Sequence, residues 1–246
     1  MCGRYSLTLP PEAVRRFFAF REQPNFPPRY NIAPTQPIPV VRLDHQGRSF
    51  ILMRWGLLPS WLEKPGGFPT LCNARAESVA EKAAFRNAFR RRRCLIPADG
   101  FYEWRKVGKG PKVPHFIHRA DRGPFAFAGV WETWIEPEGG EIDTAAILTT
   151  TANDTLRPLH DRMPVVLQPE DWDRWLAQDA DRTDHVRDLL RPAPNEFFVA
   201  EPISTRVNAV ANDDAAIQEP VAEDALPAAT PDGSGSEPGP RQMDLF

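Results

Sequence analysis

Short alternating and continuous apolar runs dominate the chain, and helical periodicity is confined to a few stretches. Residues 3–9 read as a strand. After them Pro10-Pro11-Glu12 opens a helix that runs to about Phe20, with Val14, Phe17 and Phe18 on one face. A proline in the first turn and an early acid both suit a helix start. Residues 21–37 are proline-rich and read as a loop. Ile38–Leu43 and Ser49–Trp55 predict a hairpin turning through Asp44-His45-Gln46-Gly47. A long loop from Gly56 to Cys72 leads into Asn73-Ala74-Arg75-Ala76-Glu77. Residues 77–90 carry Phe85 and Phe89 at helical spacing.

The second half predicts further strands over Cys94–Ile96, Phe101–Val107, His115–His118, Phe125–Trp134 and Ile142–Thr150, separated by Gly or Pro turns. Trp172, Trp175 and Leu176 suit a helix starting near Pro169, and Val186, Leu189 and Leu190 suit another. Phe197–Ala200 and Arg206–Val210 close the set as strands. No repeat is present. The pattern predicts a β-rich α+β domain over residues 2–212, a curled, barrel-like sheet with peripheral helices.

Composition changes the picture at the C-terminus. Residues 213–246 hold eight acids and one base, a net of −7, which leaves +4 on residues 1–212 of a chain whose net charge is −3. Ala, Pro, Asp, Glu, Gly and Ser dominate this tail, which is too poor in apolar surface to fold and is expected to be disordered. A mildly basic body permits a nucleic-acid partner without demanding one. No apolar run approaches the roughly 20 residues of a membrane span, and no signal-peptide core follows the N-terminus, so a cytoplasmic protein is expected. The three cysteines, Cys2, Cys72 and Cys94, are odd in number and widely spaced. They read as free thiols in a reducing compartment. No zinc-ligand spacing appears, and neither a metal nor another cofactor is expected. The basic run Arg90–Arg93 fits a solvated helix end as well as phosphate contact.

The first residues carry the sharpest chemistry. Cys2 has a small side chain, so removal of Met1 is expected, which would leave an α-amine and a thiol on adjacent carbons. Their reference pKa values, about 7.7–8.0 and 8.5, leave both partly nucleophilic near neutral pH. An amine condenses with an aldehyde to an imine, and a neighbouring thiol then closes on the imine carbon as a thiazolidine. Elsewhere, Glu103 lies among aromatics in Phe101-Tyr102-Glu103-Trp104, a setting that raises a carboxyl pKa and suits acid–base work, or it simply faces outward. His160 sits in Leu159-His160-Asp161-Arg162-Met163-Pro164. No Ser-His-Asp motif, phosphate loop or dinucleotide fingerprint is present.

Seven blocks in order give the chain a resemblance to the SRAP family, SOS-response-associated peptidases regarded as abasic-site-processing proteins. They are Cys2-Gly3-Arg4-Tyr5, Arg29-Tyr30-Asn31-Ile32-Ala33-Pro34, Trp55-Gly56-Leu57, Asn73-Ala74-Arg75-Ala76-Glu77, Ala98-Asp99-Gly100-Phe101-Tyr102-Glu103-Trp104, Thr149-Thr150-Thr151-Ala152 and His160-Asp161-Arg162-Met163-Pro164. The resemblance covers about residues 2–210 and implies single-stranded DNA bearing an abasic site as the partner. It implies catalytic roles for Cys2, Asn73, Glu103 and His160: Cys2 as nucleophile, Glu103 as acid–base, His160 on the sugar-ring proton, and Asn73 holding the sugar. It also implies DNA contacts by Arg4, Arg75, Trp104 and Thr149, with Trp61 and Pro34 as weaker candidates, and strand-lyase or self-reversal activity beside capture. A monomer is expected. The alternative is a thiol autopeptidase with Cys2 as N-terminal nucleophile; a third is a binding adaptor in which Cys2 is inert. Finally, Gln242-Met243-Asp244-Leu245-Phe246 resembles a bacterial sliding-clamp-binding peptide on a flexible tether.

Overall fold

The computed structural model describes residues 2–178 and 183–222. Gln242–Phe246, the clamp-like peptide, lies outside the described residues, as does all of 223–246. Strands β1 (Tyr5–Leu7), β2 (Arg29–Ile32), β3 (Pro37–Asp44), β4 (Gly47–Trp55), β5 (Asn73–Arg75), β6 (Arg93–Ala98), β7 (Gly100–Arg105), β8 (Val113–Arg119), β9 (Phe125–Ile135), β10 (Glu141–Thr151), β11 (Arg162–Pro164), β12 (Val166–Leu167) and β13 (Phe198–Pro202) form two sheets. Among the described residues, four short α-helices lie around them, α1 (Pro11–Phe18), α2 (Arg86–Arg91), α3 (Trp172–Leu176) and α4 (Asp184–Arg187). The fold is a β-rich α+β domain. Among the described residues, no helix is long and apolar enough to cross a membrane.

The larger sheet closes on itself. β4 pairs antiparallel with β3, β3 with β6, β6 with β9 and β9 with β10; β10 then returns to β4 in parallel through Thr144↔Arg54 and Ala145↔Trp55. Closure removes free edges around the ring. The ring encloses an apolar core that includes Val40, Met53, Trp55, Ile96, Phe127 and Ile147, all 1% exposed or less. The smaller sheet runs β13-β8-β7-β1-β2, antiparallel throughout. It carries the N-terminus. Tyr5 pairs with Ile32 on one side and Phe101 on the other, and its ring meets Trp55 and Phe127 edge-on at 5.2 and 5.8 Å. Asp99 fastens β1 from beyond its end: its carboxylate accepts from the Ser6 hydroxyl at 2.6 Å and from the Thr8 amide and hydroxyl at 2.5 and 2.7 Å. Gly100 follows because a Cβ there would lie 2.2 Å from the Phe116 ring.

Several local expectations are corrected. The proline-rich stretch contains β2, whose Tyr30 and Asn31 amides donate to Asp213 at 2.5 and 2.8 Å. The helix expected over 77–90 forms only at Arg86–Arg91. Residues 76 and 77 are held toward β10 instead, by Ala76 N–H donating to the Thr149 carbonyl at 2.8 Å and by the Glu77–Arg162 pair at 2.7 Å. The helix from Pro11 stops at Phe18 because Ala19 turns left-handed (φ 55°). Residues 206–210 are not a strand. Thr205–Asn208 form a 3-10 turn whose Arg206 amide donates to the Ser204 hydroxyl. The basic run is half structural: Arg93 is wholly buried and donates to the carbonyls of Trp175, Phe89, Arg90 and Ala177.

The domain also reaches past residue 212, where composition placed its end. Asp213 bonds Arg29 at 2.6 Å, Ile217 is wholly buried beside Tyr102, and Gln218 donates to the Tyr102 hydroxyl at 3.0 Å. One acid with specific partners and one isoleucine in a pocket are enough to fix ten residues that average composition assigns to the tail.

Candidate active site

Four elements converge where β1 begins. Cys2 is fully buried just ahead of β1, and its thiol lies 3.7 Å from the Arg4 carbonyl. Asn73 enters from β5, which lies parallel to β10 through Ile147↔Asn73. Its amide nitrogen donates to the Cys2 carbonyl at 2.9 Å and sits 3.4 Å from the Cys72 sulfur. Its amide oxygen is buried with no hydrogen-bond partner among the described residues, an acceptor left over for a ligand. Glu103 comes from β7 and is 5% exposed. His160 comes from the turn after β10, where Asn153 accepts from the Leu156 amide at 3.0 Å and donates to the Ala193 carbonyl at 3.0 Å.

Three of these residues, Asn73, Glu103 and His160, border a cavity of about 430 Å³, and Cys2 lies next to its lining residue Gly3. Asn73, Glu103 and His160 line it with Gly3, Pro34 and Trp104; Cys72 and Lys112 complete the wall. The volume is at the small end for a ligand pocket.

Electrostatics set the resting protonation. Burial pushes the Cys2 thiol well above its ordinary value, and the Glu103 carboxylate adds to the rise. Burial also raises Cys72. Burial pulls His160 below its ordinary value, against the opposite influence of Glu103 and Asp161. The contacts of His160 Nδ1 conflict: it lies 3.0 Å from the Arg162 amide, which can only donate, and 2.7 Å from the Asp161 carboxylate, which can only accept. The lowered pKa favours the first. A neutral ring accepts at Nδ1 and carries its proton on Nε2, while the Asp161 side chain is 85% exposed and free to turn to water.

The residues expected on DNA divide. Trp104 is half-buried at the cavity, with its indole N–H donated to Asn208 at 2.8 Å. Arg75 is exposed beside Asn73. Arg4 is turned inward, donating to Asn31 at 2.7 Å and to the carbonyls of Val207 and Asn208 at 2.9 and 3.2 Å. Thr149 is fully buried, beneath Arg162, which donates to its carbonyl at 2.6 Å. Trp61 is 55% exposed and meets Phe68 edge-on at 6.1 Å, outside the cavity wall.

A family model described as SOS response associated peptidase (SRAP) matches residues 1–210. The chain belongs to the SRAP family. Among curated relatives in the family, the abasic site processing protein YoqW of Bacillus subtilis is 36% identical over 215 residues, spanning 86% of this chain and 96% of its own. The abasic site processing protein HMCES of Gallus gallus is 32% identical over 258 residues, 87% of this chain and 76% of that one. The abasic site processing protein YedK of Escherichia coli is 31% identical and is covered in full by 90% of this chain. A solved protein from Bacteroides thetaiotaomicron superposes with a TM-score of 0.80 at 25% identity over 90% of this chain, and one from Bordetella bronchiseptica with 0.71 at 30% over 82%.

Cys72, Lys112 and Asn208 escaped the sequence reading. Cys72 directly precedes Asn73, so the SRAP block could have drawn attention to it. Lys112 closes a Gly-rich turn with Lys106 and Lys109, a weak signal. Asn208 left none.

Proposed function

We propose that this protein processes abasic sites in single-stranded DNA by bonding the opened sugar to Cys2. The observation that carries the reading is the placement of Cys2: buried, its carbonyl held by Asn73 at 2.9 Å, beside a cavity walled by an acid and a histidine. Once Met1 is removed, the free α-amine belongs to Cys2.

The chemistry follows from the resting states. The abasic deoxyribose opens to a C1′ aldehyde. The Cys2 amine, rather than the protonated thiol, attacks first, and loss of one water gives the imine. The thiol then adds to the imine carbon. A C–S bond forms, the sulfur proton passes to nitrogen, and a five-membered thiazolidine results. Glu103 is the carboxylate placed to shuttle protons at amine and sulfur, work worth about 10²–10⁴ in rate. His160 Nε2–H donates to the sugar-ring oxygen as the ring opens. The Asn73 amide oxygen accepts from a sugar hydroxyl. A peptidase would instead need a Cys2 thiolate to attack an amide, and burial disfavours that thiolate.

The test is intact mass spectrometry with an abasic single-stranded oligonucleotide. The expected product is protein lacking Met1 plus oligonucleotide minus one water, absent in Cys2→Ser and formed about 10²–10⁴ more slowly in Glu103→Gln. Protein that has lost Met1 but forms no adduct refutes capture, and retained Met1 refutes the aminothiol. Deletion of 242–246 should abolish sliding-clamp retention in a pull-down while leaving capture intact; retention after the deletion rules that peptide out.

A further inference from the structure

A strand passing this cavity needs cations at its mouth, because the phosphate backbone supplies most of the affinity of sequence-independent binding. Two arginines near the cavity are committed elsewhere, while Arg75 is exposed on β5 beside Asn73. Arg4 spends three hydrogen bonds on Asn31, Val207 and Asn208. Arg162 is bidentate on Glu77 at 2.7 and 2.9 Å and donates to Thr149 as well. Each bond a guanidinium gives to the protein is one it withholds from a phosphate.

Lys112 is different. It is exposed and lines the cavity with Glu103, Trp104 and His160. Among the described residues, no hydrogen bond or ion pair engages its ammonium group. Its backbone is held although its side chain is not, because the next residue, Val113, is already paired with Arg105 in the β7–β8 ladder. Trp104 belongs to the same ladder, opposite Pro114. Lys112 therefore stands two residues, about 7 Å, along the strand from the partner of Trp104. From Trp104 to Ala120 the chain has no acidic residue, while Arg105, Lys106, Lys109, Lys112 and Arg119 are basic. The turn that joins β7 to β8 is basic, while Arg119 at the far end of β8 is paired with Asp121.

We infer that Lys112 is a phosphate-binding residue of this site, holding the phosphodiester next to the sugar that enters the cavity while Trp104 meets the neighbouring base. The inference rests on the proposed function for its ligand and adds the residue that grips it. Lysine suits the task as a compact, flexible point charge that follows a backbone without fixing one geometry.

The experiment measures binding of the full chain to a single-stranded oligonucleotide carrying a tetrahydrofuran abasic analogue, which has no aldehyde to trap, by anisotropy across a sodium chloride series. One phosphate contact on a single strand contributes a slope of about 0.7, so Lys112→Gln should bind about fivefold more weakly at 0.1 M salt and lose about 0.7 from the slope. Lys112→Arg should restore both, and Lys112→Glu should weaken binding further. The melting temperature of Lys112→Gln should match wild type. An unchanged salt slope in Lys112→Gln overturns the inference, as does failure of Lys112→Arg to rescue. If the wild-type chain captures no abasic strand, the proposed function fails, and the salt slope still decides whether Lys112 grips phosphate.

Discussion

Asp99 offers the most direct test of how the N-terminus is held. Its carboxylate accepts three short bonds from Ser6 and Thr8, and these fix β1 against β7. In Asp99→Ala, all three donors lose an ionised acceptor, each bond worth about 1.5–3 kcal/mol. The full sum will not be lost. Thr8 is only half-buried and reaches water, and the Ser6 hydroxyl already lies 3.4 Å from the Gly100 carbonyl. A net cost of about 3 kcal/mol follows, a melting-temperature drop of about 6–12 °C at this chain length. Asp99→Asn should cost far less, about 1 kcal/mol, because its oxygen can still take the Thr8 donors while its amide gives to the Ser6 oxygen. Paired denaturant melts measure both, and hydrogen exchange at the Tyr5 and Ser6 amides reports whether β1 frays first. Equal stability of the two variants, or an Asp99→Ala within experimental error of wild type, would refute the reasoning.

Two further outcomes follow from burial. Cys2, Tyr5, Cys72, Cys94 and Tyr102 all have their pKa raised in the fold, burial being the leading cause in each. The native state therefore holds protons that the unfolded chain releases, so stability is complete below the unfolded values and falls as pH rises past about 8.5 for the thiols and 10 for the phenols; thermal melts across pH 7–11 should show it, and a flat profile would contradict it. Ending the chain after residue 212 removes the buried Ile217 and the Asp213 bonds, so it should cost about 2–5 kcal/mol against a chain ending at 222; equal melting temperatures would return the domain edge to 212.

Local pattern revealed local structure. The hairpin of Ile38–Leu43 with Ser49–Trp55 was legible because alternation and a turn signal lie side by side, and it appears as β3 and β4. The parallel return of β10 to β4, which closes the ring, joins residues some ninety positions apart and leaves no local mark. Residues 77–85 carry helical spacing, yet tertiary bonds to Thr149 and Arg162 claim their start, and propensity yields to them. At the site, alternation could not say whether Glu103 or Trp104 faced inward; the fold buries Glu103 and leaves Trp104 half-open. The convergence of Cys2, Asn73, Glu103 and His160 rested on resemblance, since each arrives on a different element. Lys112 was invisible because a lysine in a Gly-rich turn usually does nothing but stay wet.

The pairing of β1 with β7, and of β5 with β10, has a consequence for the newborn chain. Cys2 leaves the ribosome among the first residues, but its neighbours arrive late. The strand that covers it is made about a hundred residues on, His160 later still, and the segment that seats Trp104 and Arg4 comes last. Contacts this distant in sequence form slowly. On the proposed function, a nascent chain whose Met1 has been removed carries its aminothiol before the pocket around it exists, until the body of the protein has been synthesised.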